Sequence, residues 1–370
     1  MESLFKRKLF DLKLKNNYRK LSDVKGIDFS SNDYLGLANH PRIKEAIVKA
    51  LQKGLSIGSS GSRLLTGNIK EFQILEEFAA SYFSAESCLF FSSGFIANYA
   101  LFTTLPQRHD VILYDEFAHA SIREGIRASL AKSIKFKHND LISLKTAIEK
   151  AASLSAKTIW ISIESVYSMD GDIADINDIL RLIKNYPNTY LVVDEAHSTG
   201  IFGINGKGFT YNLDYENLIT LHTCGKALGV SGALVCASQD IIEYLINKAR
   251  PFIYTTAESP IIAVAVQESL LILQEEVWRK EKLLELISYV HKNYSVNLNA
   301  KTQIIPIILD DELTATNAAV ALQDKGFDVR AIRPPTVAVS RLRISLNTNR
   351  TKEEVDDLFE NVNLILRDLK

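Results

Sequence analysis

The sequence predicts an α/β protein with a large, mainly parallel sheet, followed by a small C-terminal α+β domain. Between about residues 70 and 240, short apolar runs alternate with amphipathic stretches of helical period, as expected of strands covered on both faces by helices. After residue 300 the order becomes strand, helix, strand, strand, helix, which suits a small antiparallel sheet. Polar residues also gather just behind the apolar runs, and ligands of open α/β sheets collect at the carboxyl ends of the strands.

The 370 residues allow about two domains. Pattern changes place the boundaries: an N-terminal segment (1–40), a large α/β domain (41–258), then a connecting helix and small α+β domain (259–370). With 43 basic and 44 acidic residues, the net charge of −1 creates no global field for nucleic acid or an anionic membrane, so neither is expected as a partner. The start, Met1-Glu-Ser-Leu-Phe-Lys-Arg7, has no apolar core of signal-peptide length, and no apolar run is long enough to span a bilayer. A cytoplasmic protein is expected. Cys88, Cys224 and Cys236 lack metal-like spacing and lie in or beside apolar runs, so they read as buried free thiols.

Residues 4–21 alternate apolar positions with Lys6, Arg7, Lys8, Lys13, Lys15, Arg19 and Lys20 at roughly helical spacing. This reads as a solvated helix face, with a lip for a phosphorylated substrate as the sharper alternative. Ile27 to Leu37 is rich in turn formers (Asn32, Asp33, Gly36) and predicts an ordered loop. A helix follows from Pro41 to about Lys53, with proline in its first turn. Gly58 to Gly67 forms a polar, glycine-rich loop. Strands are expected at 88–91, 111–114, 134–136, 159–163, 191–193, 218–221 and 233–236, and helices at 70–83, 95–105, 121–131, 141–152 and 175–185. A long helical stretch covers 259–295, and apolar runs at 303–309, 328–332 and 342–346 complete the C-terminal part.

Five strand ends are expected to deliver polar groups to one face. Ser92-Ser-Gly-Phe95 follows the first and opens a helix, which makes an anion site from free backbone N–H groups and the positive end of the helix dipole. Asp115 and His119 follow the second, and Glu164, Ser165, Ser168 and Asp170 the next. Asp194, Glu195 and His197 then precede His222, Thr223 and Lys226. Lys226 is surrounded by Gly225, Ala227, Gly229, Ser231 and Gly232. A lysine carrying a planar group on its nitrogen needs such small neighbours, and lysine amines form Schiff bases with carbonyls. Pyridoxal phosphate (PLP) needs an amine, an acid at the pyridine nitrogen, a phosphate cup and a group over the ring. Lys226, Asp194, Gly94 with Phe95, and His119 supply one candidate for each. Taken singly, Asp194 could be a helix cap, His119 a satisfied core residue and Gly94 a turn; the ordered set carries the argument.

The ordered pieces are Phe29-Ser-Ser-Asn-Asp-Tyr-Leu-Gly-Leu37, Ser92-Ser-Gly-Phe95, Asp115-x-x-x-His119-Ala-Ser121, Ser168-Met-Asp-Gly-Asp172, Asp194-Glu-Ala-His197-Ser-Thr-Gly200 and Thr223-Cys-Gly-Lys226-Ala-Leu-Gly229. Together they resemble the fold-type I PLP enzymes, and within them the α-oxoamine synthases, over nearly the whole chain. The resemblance implies a PLP-dependent acyltransferase that joins an amino acid to an acyl thioester with loss of carbon dioxide. It implies that Lys226 carries PLP, Asp194 pairs with the ring nitrogen, His197 bonds the ring's phenolic oxygen with Ser168 nearby, and His119 stacks on the ring. Gly94, Phe95 and Thr223 would hold the phosphate, and Thr255 and Thr256 would reach the phosphate of a second subunit in a homodimer with active sites at the interface. Asn32, His119, Thr336 and Arg343 would meet substrate, Arg343 gripping the amino-acid carboxylate, with Arg19 as the N-terminal candidate. Ile332-Arg-Pro-Pro-Thr-Val337 resembles the branch that uses L-alanine and a pimeloyl thioester on coenzyme A or a carrier protein. Sister branches (glycine C-acetyltransferase, 5-aminolevulinate synthase, serine palmitoyltransferase) share the PLP residues. Glu258 departs from the family pattern, which has an apolar residue there. A dinucleotide oxidoreductase is disfavoured, because no Gly-x-Gly-x-x-Gly follows the first strand. A non-catalytic scaffold would leave the strand-end polar groups unexplained.

Overall fold

In the computed structural model, which describes all residues except 1–2, 15–17, 22, 24–25, 297–298 and 370, helix α1 (Leu4–Leu14) comes first and buries none of its residues. The expected helix over 4–21 therefore stops early: Tyr18 to Leu21 are not helical, and Lys15 lies outside the described residues. Strand β1 (Ile27–Asp28) leads into the ordered 29–40 segment. Helix α2 (Pro41–Gln52) starts on its proline, and α3 (Lys70–Phe83) packs toward strand β2 (Ser87–Phe91). The alternation then runs α4 (Gly94–Thr104), β3 (Val111–Asp115), α5 (Ala120–Ala128), β4 (Lys132–Phe136), α6 (Leu141–Ser153), β5 (Ile159–Glu164), α7 (Ile176–Ile183), β6 (Thr189–Asp194), β7 (Leu218–Thr223) and β8 (Ala233–Ala237).

These strands form one seven-stranded sheet in the order β2-β8-β7-β6-β5-β3-β4. It is mainly parallel; β8 is antiparallel to both of its neighbours. Strand β5 is buried along its whole length. Ile159, Ile161 and Ile163 face one core with α6 and α7, while Trp160 joins Val192 and Ile219 in the core on the other side, against α4, α5 and α8 (Gln239–Lys248). Successive residues point to opposite faces, so a strand covered on both faces must be apolar at both parities. All three cysteines are buried free thiols.

Short α9 (Arg250–Ile253) precedes α10 (Pro260–Glu275) and α11 (Val277–Asn293). The long helix expected over 259–295 is thus broken at Glu276, whose ψ of 53° turns the chain. The Glu276 carboxylate there meets His40 at 3.2 Å and Arg279 at 2.7 Å. The C-terminal part contains β9 (Ile304–Ile308), α12 (Glu312–Asp324), β10 (Phe327–Asp328), β11 (Arg330–Ile332), β12 (Arg341–Ser345) and α13 (Lys352–Asp368). Its three-stranded antiparallel sheet has the order β11-β12-β9. Strand β10 pairs with β1, which ties the N-terminal segment to this end of the chain. Among the described residues, no helix is long and apolar enough to cross a membrane.

Candidate active site

The parallel register of β5 and β6 sets Glu164 beside Asp194 at the carboxyl end of the sheet. A cavity of about 310 Å³ opens there, and its walls include Asn32, Gly94, Phe95, His119, Asp194, His197, Thr223 and Lys226. Residues scattered over almost 200 positions of sequence thus share one pocket.

Lys226 lies just past β7, with Nζ 2.8 Å from His197 Nε2. Loss of hydration lowers its ammonium to about 8, although the carboxylates of Asp194 and Glu164 pull the other way. His197 is buried, and burial together with the charges of Lys226 and Arg343 holds it well below the usual histidine range, so its ring is neutral. The Tyr34 hydroxyl lies 2.8 Å from His197 Nδ1 and donates to Asn32 Oδ1 at 2.8 Å. With the tyrosine proton used on Asn32, Nδ1–H donates to the Tyr34 oxygen, and Nε2 accepts from Lys226. Asp194 Oδ1 accepts from the Ala196 N–H at 2.9 Å, and Oδ2 from Asn98 Nδ2 at 2.8 Å. Burial, then the neighbouring Asp194, raises Glu164 to about 8; its Oε1 accepts from the His119 N–H at 2.6 Å.

The candidate phosphate cup is a local product of sequence. Strand β2 ends, Ser93 adopts an extended conformation, and its Oγ caps α4 by accepting from the Ile96 N–H. The first-turn N–H groups of Gly94 and Phe95 have no carbonyl within the helix to bind. A Cβ at Gly94 would lie 2.5 Å from Thr223 Cγ2, so a side chain would fill the cup. Asn98 Oδ1 is buried beside Asp194 without a protein partner. An amine and a carboxylate on one small cavity, a helix N-terminus with free N–H groups and an unsatisfied amide oxygen fit PLP.

Arg343, on β12, is buried at the edge of this site. Its Nε donates to Ser168 O at 2.7 Å, and its terminal nitrogens donate to Ser345 Oγ, Asn32 Oδ1 and the Tyr34 hydroxyl oxygen. Ser168 and Thr336 instead line a neighbouring cavity of about 480 Å³, with Phe117, Tyr167, Met169 and Arg341. Thr255 and Thr256 are exposed between α9 and α10, away from the Lys226 pocket of the same chain. The glycine-rich loop holds that turn: Ala257 N–H donates to Gly61 O, and Ser259 Oγ to Ile57 O. Glu258 accepts from the N–H of Ser259 at 3.0 Å, a local role at the start of α10. Arg19 is exposed and does not line the pocket.

Two sequence expectations change. The polar groups at the strand ends do not all face the ligand. His222 points to the opposite side from Leu221, stacks on Phe83 at 3.6 Å and bonds Thr199 and Thr220. Asp115 is spent on His138, and Glu195 on Ser165, Ser198 and the Thr210 N–H. The small residues around Lys226 also serve more than a planar group. At Gly229 (φ +66°) a Cβ would meet Ala38 N at 2.4 Å, because the 29–40 segment crosses there. Sequence reasoning missed Tyr34, Asn98 and Gln303, whose Nε2 donates to His197 O at 2.8 Å. Asn98 had a signal, as a lone amide in the otherwise apolar first turns of α4.

Fold and site together define a fold-type I, PLP-dependent transferase. The family model for aminotransferase class I and II matches residues 24–362. The chain is 39% identical over 344 residues to the 8-amino-7-oxononanoate synthase of Chromobacterium violaceum, covering 90% of this chain and 88% of that protein. The crystal structure of 8-amino-7-oxononanoate synthase from Francisella tularensis superposes with a TM-score of 0.80 at 32% identity, covering 92% of this chain and 98% of the other. A serine palmitoyltransferase from S. paucimobilis, solved with a bound PLP–myriocin aldimine, shares the fold at a TM-score of 0.90 and 23% identity, covering 100% and 99%. The chain belongs to the aminotransferase class I and II family, in its α-oxoamine synthase group.

Proposed function

We propose that this enzyme is an 8-amino-7-oxononanoate synthase, which condenses L-alanine with a pimeloyl thioester and releases carbon dioxide and the free thiol, a step of biotin biosynthesis. The observation that carries this reading is the joint one: relatives of that name match along most of the chain, and the Lys226–His197–Asp194 pocket adjoins the Arg343 guanidinium. When bound, PLP supplies an electron sink that stabilises negative charge at the amino-acid Cα.

The chain's own residues would divide the remaining work. Lys226 holds the cofactor and, once free, takes the Cα proton. Burial already lowers this amine to about 8 in the ligand-free pocket, toward the range of a base at neutral pH. Asp194, aligned by Asn98 and the Ala196 N–H, would pair with the ring nitrogen and favour its protonated form. His197 keeps one N–H, held on Tyr34, and presents Nε2 to the Lys226 side. His119 would cover the ring, and Gly94, Phe95 and Thr223 would hold the phosphate. Arg343, whose fork suits a planar anion, takes the alanine carboxylate beside Asn32. Ser168 and Thr336 border the neighbouring cavity, which would take the acyl chain of the thioester. Thr255 and Thr256, exposed on one chain, would complete the phosphate site of a homodimer partner.

The test offers the purified enzyme alanine, glycine or serine against pimeloyl, acetyl, succinyl and palmitoyl thioesters, with release of thiol and carbon dioxide followed. Alanine with the pimeloyl thioester should give the highest kcat/KM. A preference for glycine or for serine would replace this reading with one of the sister activities. Lys226→Ala should abolish both turnover and covalent PLP absorbance.

A further inference from the structure

His138, just past β4, has a carboxylate at each ring nitrogen. Nδ1 lies 2.9 Å from Asp115 Oδ1, and Nε2 lies 2.7 Å from Asp172 Oδ2. A neutral imidazole has one N–H, so only the imidazolium can donate to both. Phe117 stacks on the ring at 4.3 Å, and Tyr167 meets it edge-on at 4.4 Å. Asp115 is itself fixed by the N–H groups of Phe117 and Asn139. Asp172 belongs to a tight turn, residues 166–173, closed by the Val166–Ile173 bridge and by the Tyr167 N–H on Asp172 O. The same turn reaches the C-terminal sheet: Ser168 O accepts from Arg343 Nε at 2.7 Å, and Met169 O from Arg341 at 3.1 Å.

We propose that His138 is a positioning residue: as a cation between Asp115 and Asp172 it anchors the 166–173 turn, and the turn's Ser168 carbonyl aims Arg343 at the carboxylate of the amino-acid substrate. The role of Arg343 rests on the proposed function; the clamp itself does not. The Ser168 bond matters because a guanidinium is planar, and fixing Nε fixes the plane in which its fork can meet a carboxylate. Charged groups facing the ring are Asp115 and Asp172; the backbone N–H of His138 donates to Glu116 Oε1 at 3.0 Å, and Lys135 lies 4.0 Å from Glu116. Burial disfavours the cation, but the bonds to Asp115 and Asp172 outweigh it and raise the ring to about 10.

The holoenzyme is tested in two ways. Nitrogen-15 NMR of labelled histidine should find both His138 ring nitrogens protonated at pH 7 and still so near pH 9. A ring that titrates near the ordinary value of about 6.5 would overturn the clamp. His138→Gln, Asp172→Ala and their double variant are then titrated with alanine, glycine and serine, with the change in PLP absorbance as the signal. Each single variant should bind the amino acid about tenfold more weakly, with unchanged PLP absorbance before addition. The double variant should be no weaker than the weaker single, because Asp172→Ala already removes the His138 bond together with the 2.6 Å bond from Asn139 Nδ2. Wild-type affinity in either folded single variant, or a double loss equal to the product of the two, would overturn the link to Arg343. Either single variant suffices if the other does not fold. If the wild-type holoenzyme binds none of the three amino acids, the proposed function falls, and the nitrogen signals still decide the clamp.

Discussion

Lys226 offers a quantity that can be worked out before any substrate is known. Its amine titrates near 8 because it has lost hydration, with the Asp194 and Glu164 carboxylates restraining the shift. At pH 7 such an amine is neutral in roughly one molecule in ten, against roughly one in three thousand for an ordinary lysine. That ratio of about 300 corresponds to roughly 3 kcal/mol. The perturbation is pH, and the assay is the rate of covalent PLP capture by the apoprotein, followed by absorbance between pH 6 and 10.5. The rate should rise with pH and level off with a midpoint near 8. Asp194→Asn removes a carboxylate that supports the ammonium, so the midpoint should move lower. A wild-type midpoint near 10 would refute the reasoning, because it would mean that the amine is hydrated like a surface lysine. The sign of the stability effect follows from the same shift. Between about pH 8 and 10.5 the unfolded chain holds the Lys226 proton that the folded chain has released, so this group makes the apoprotein more stable as pH rises through that window.

Other substitutions test the remaining geometry. Arg343→Lys keeps the charge but loses the fork, and should raise KM for the amino acid about 10- to 100-fold with little change in kcat, measured by steady-state kinetics. Gly94→Ala brings a methyl to 2.5 Å from Thr223 Cγ2. It should weaken PLP binding about tenfold, read by equilibrium titration of the apoprotein, while the melting temperature moves little. Gly171→Ala puts a Cβ 2.1 Å from Ile304 O at a φ of +67°. It should cost about 2–4 kcal/mol in chemical denaturation, because it strains the turn and pushes it from β9.

Much of the fold was legible for reasons that can be named. Strands covered on both faces must be apolar at consecutive positions, so 159–163 and 191–193 stand out without any knowledge of their neighbours. Helix α3 carries its period over 70–83, and the Ser92–Phe95 turn contains its cap and its glycine side by side. That Lys226, Asp194 and the Ser92–Phe95 turn would share one pocket was legible because each sits in a short motif at a strand end, which is also where an open sheet binds ligands.

By itself, then, the sequence determined the alternation of elements, the strand ends that carry reactive groups, and the class of cofactor, because these depend on local period and on short motifs. Tertiary structure alone decided what depends on distant neighbours. It set β8 antiparallel between β2 and β7, joined Ile27 to Phe327, and broke the 259–295 helix where Glu276 meets His40. It turned His222 into the core, and it sent Ser168 and Thr336 to a second cavity. The neutral His197 ring, the raised Glu164 carboxyl and the charged His138 ring belong to the same group. A side chain's proton affinity is set by the water it loses and the charges it meets, and both are known only once the chain has folded.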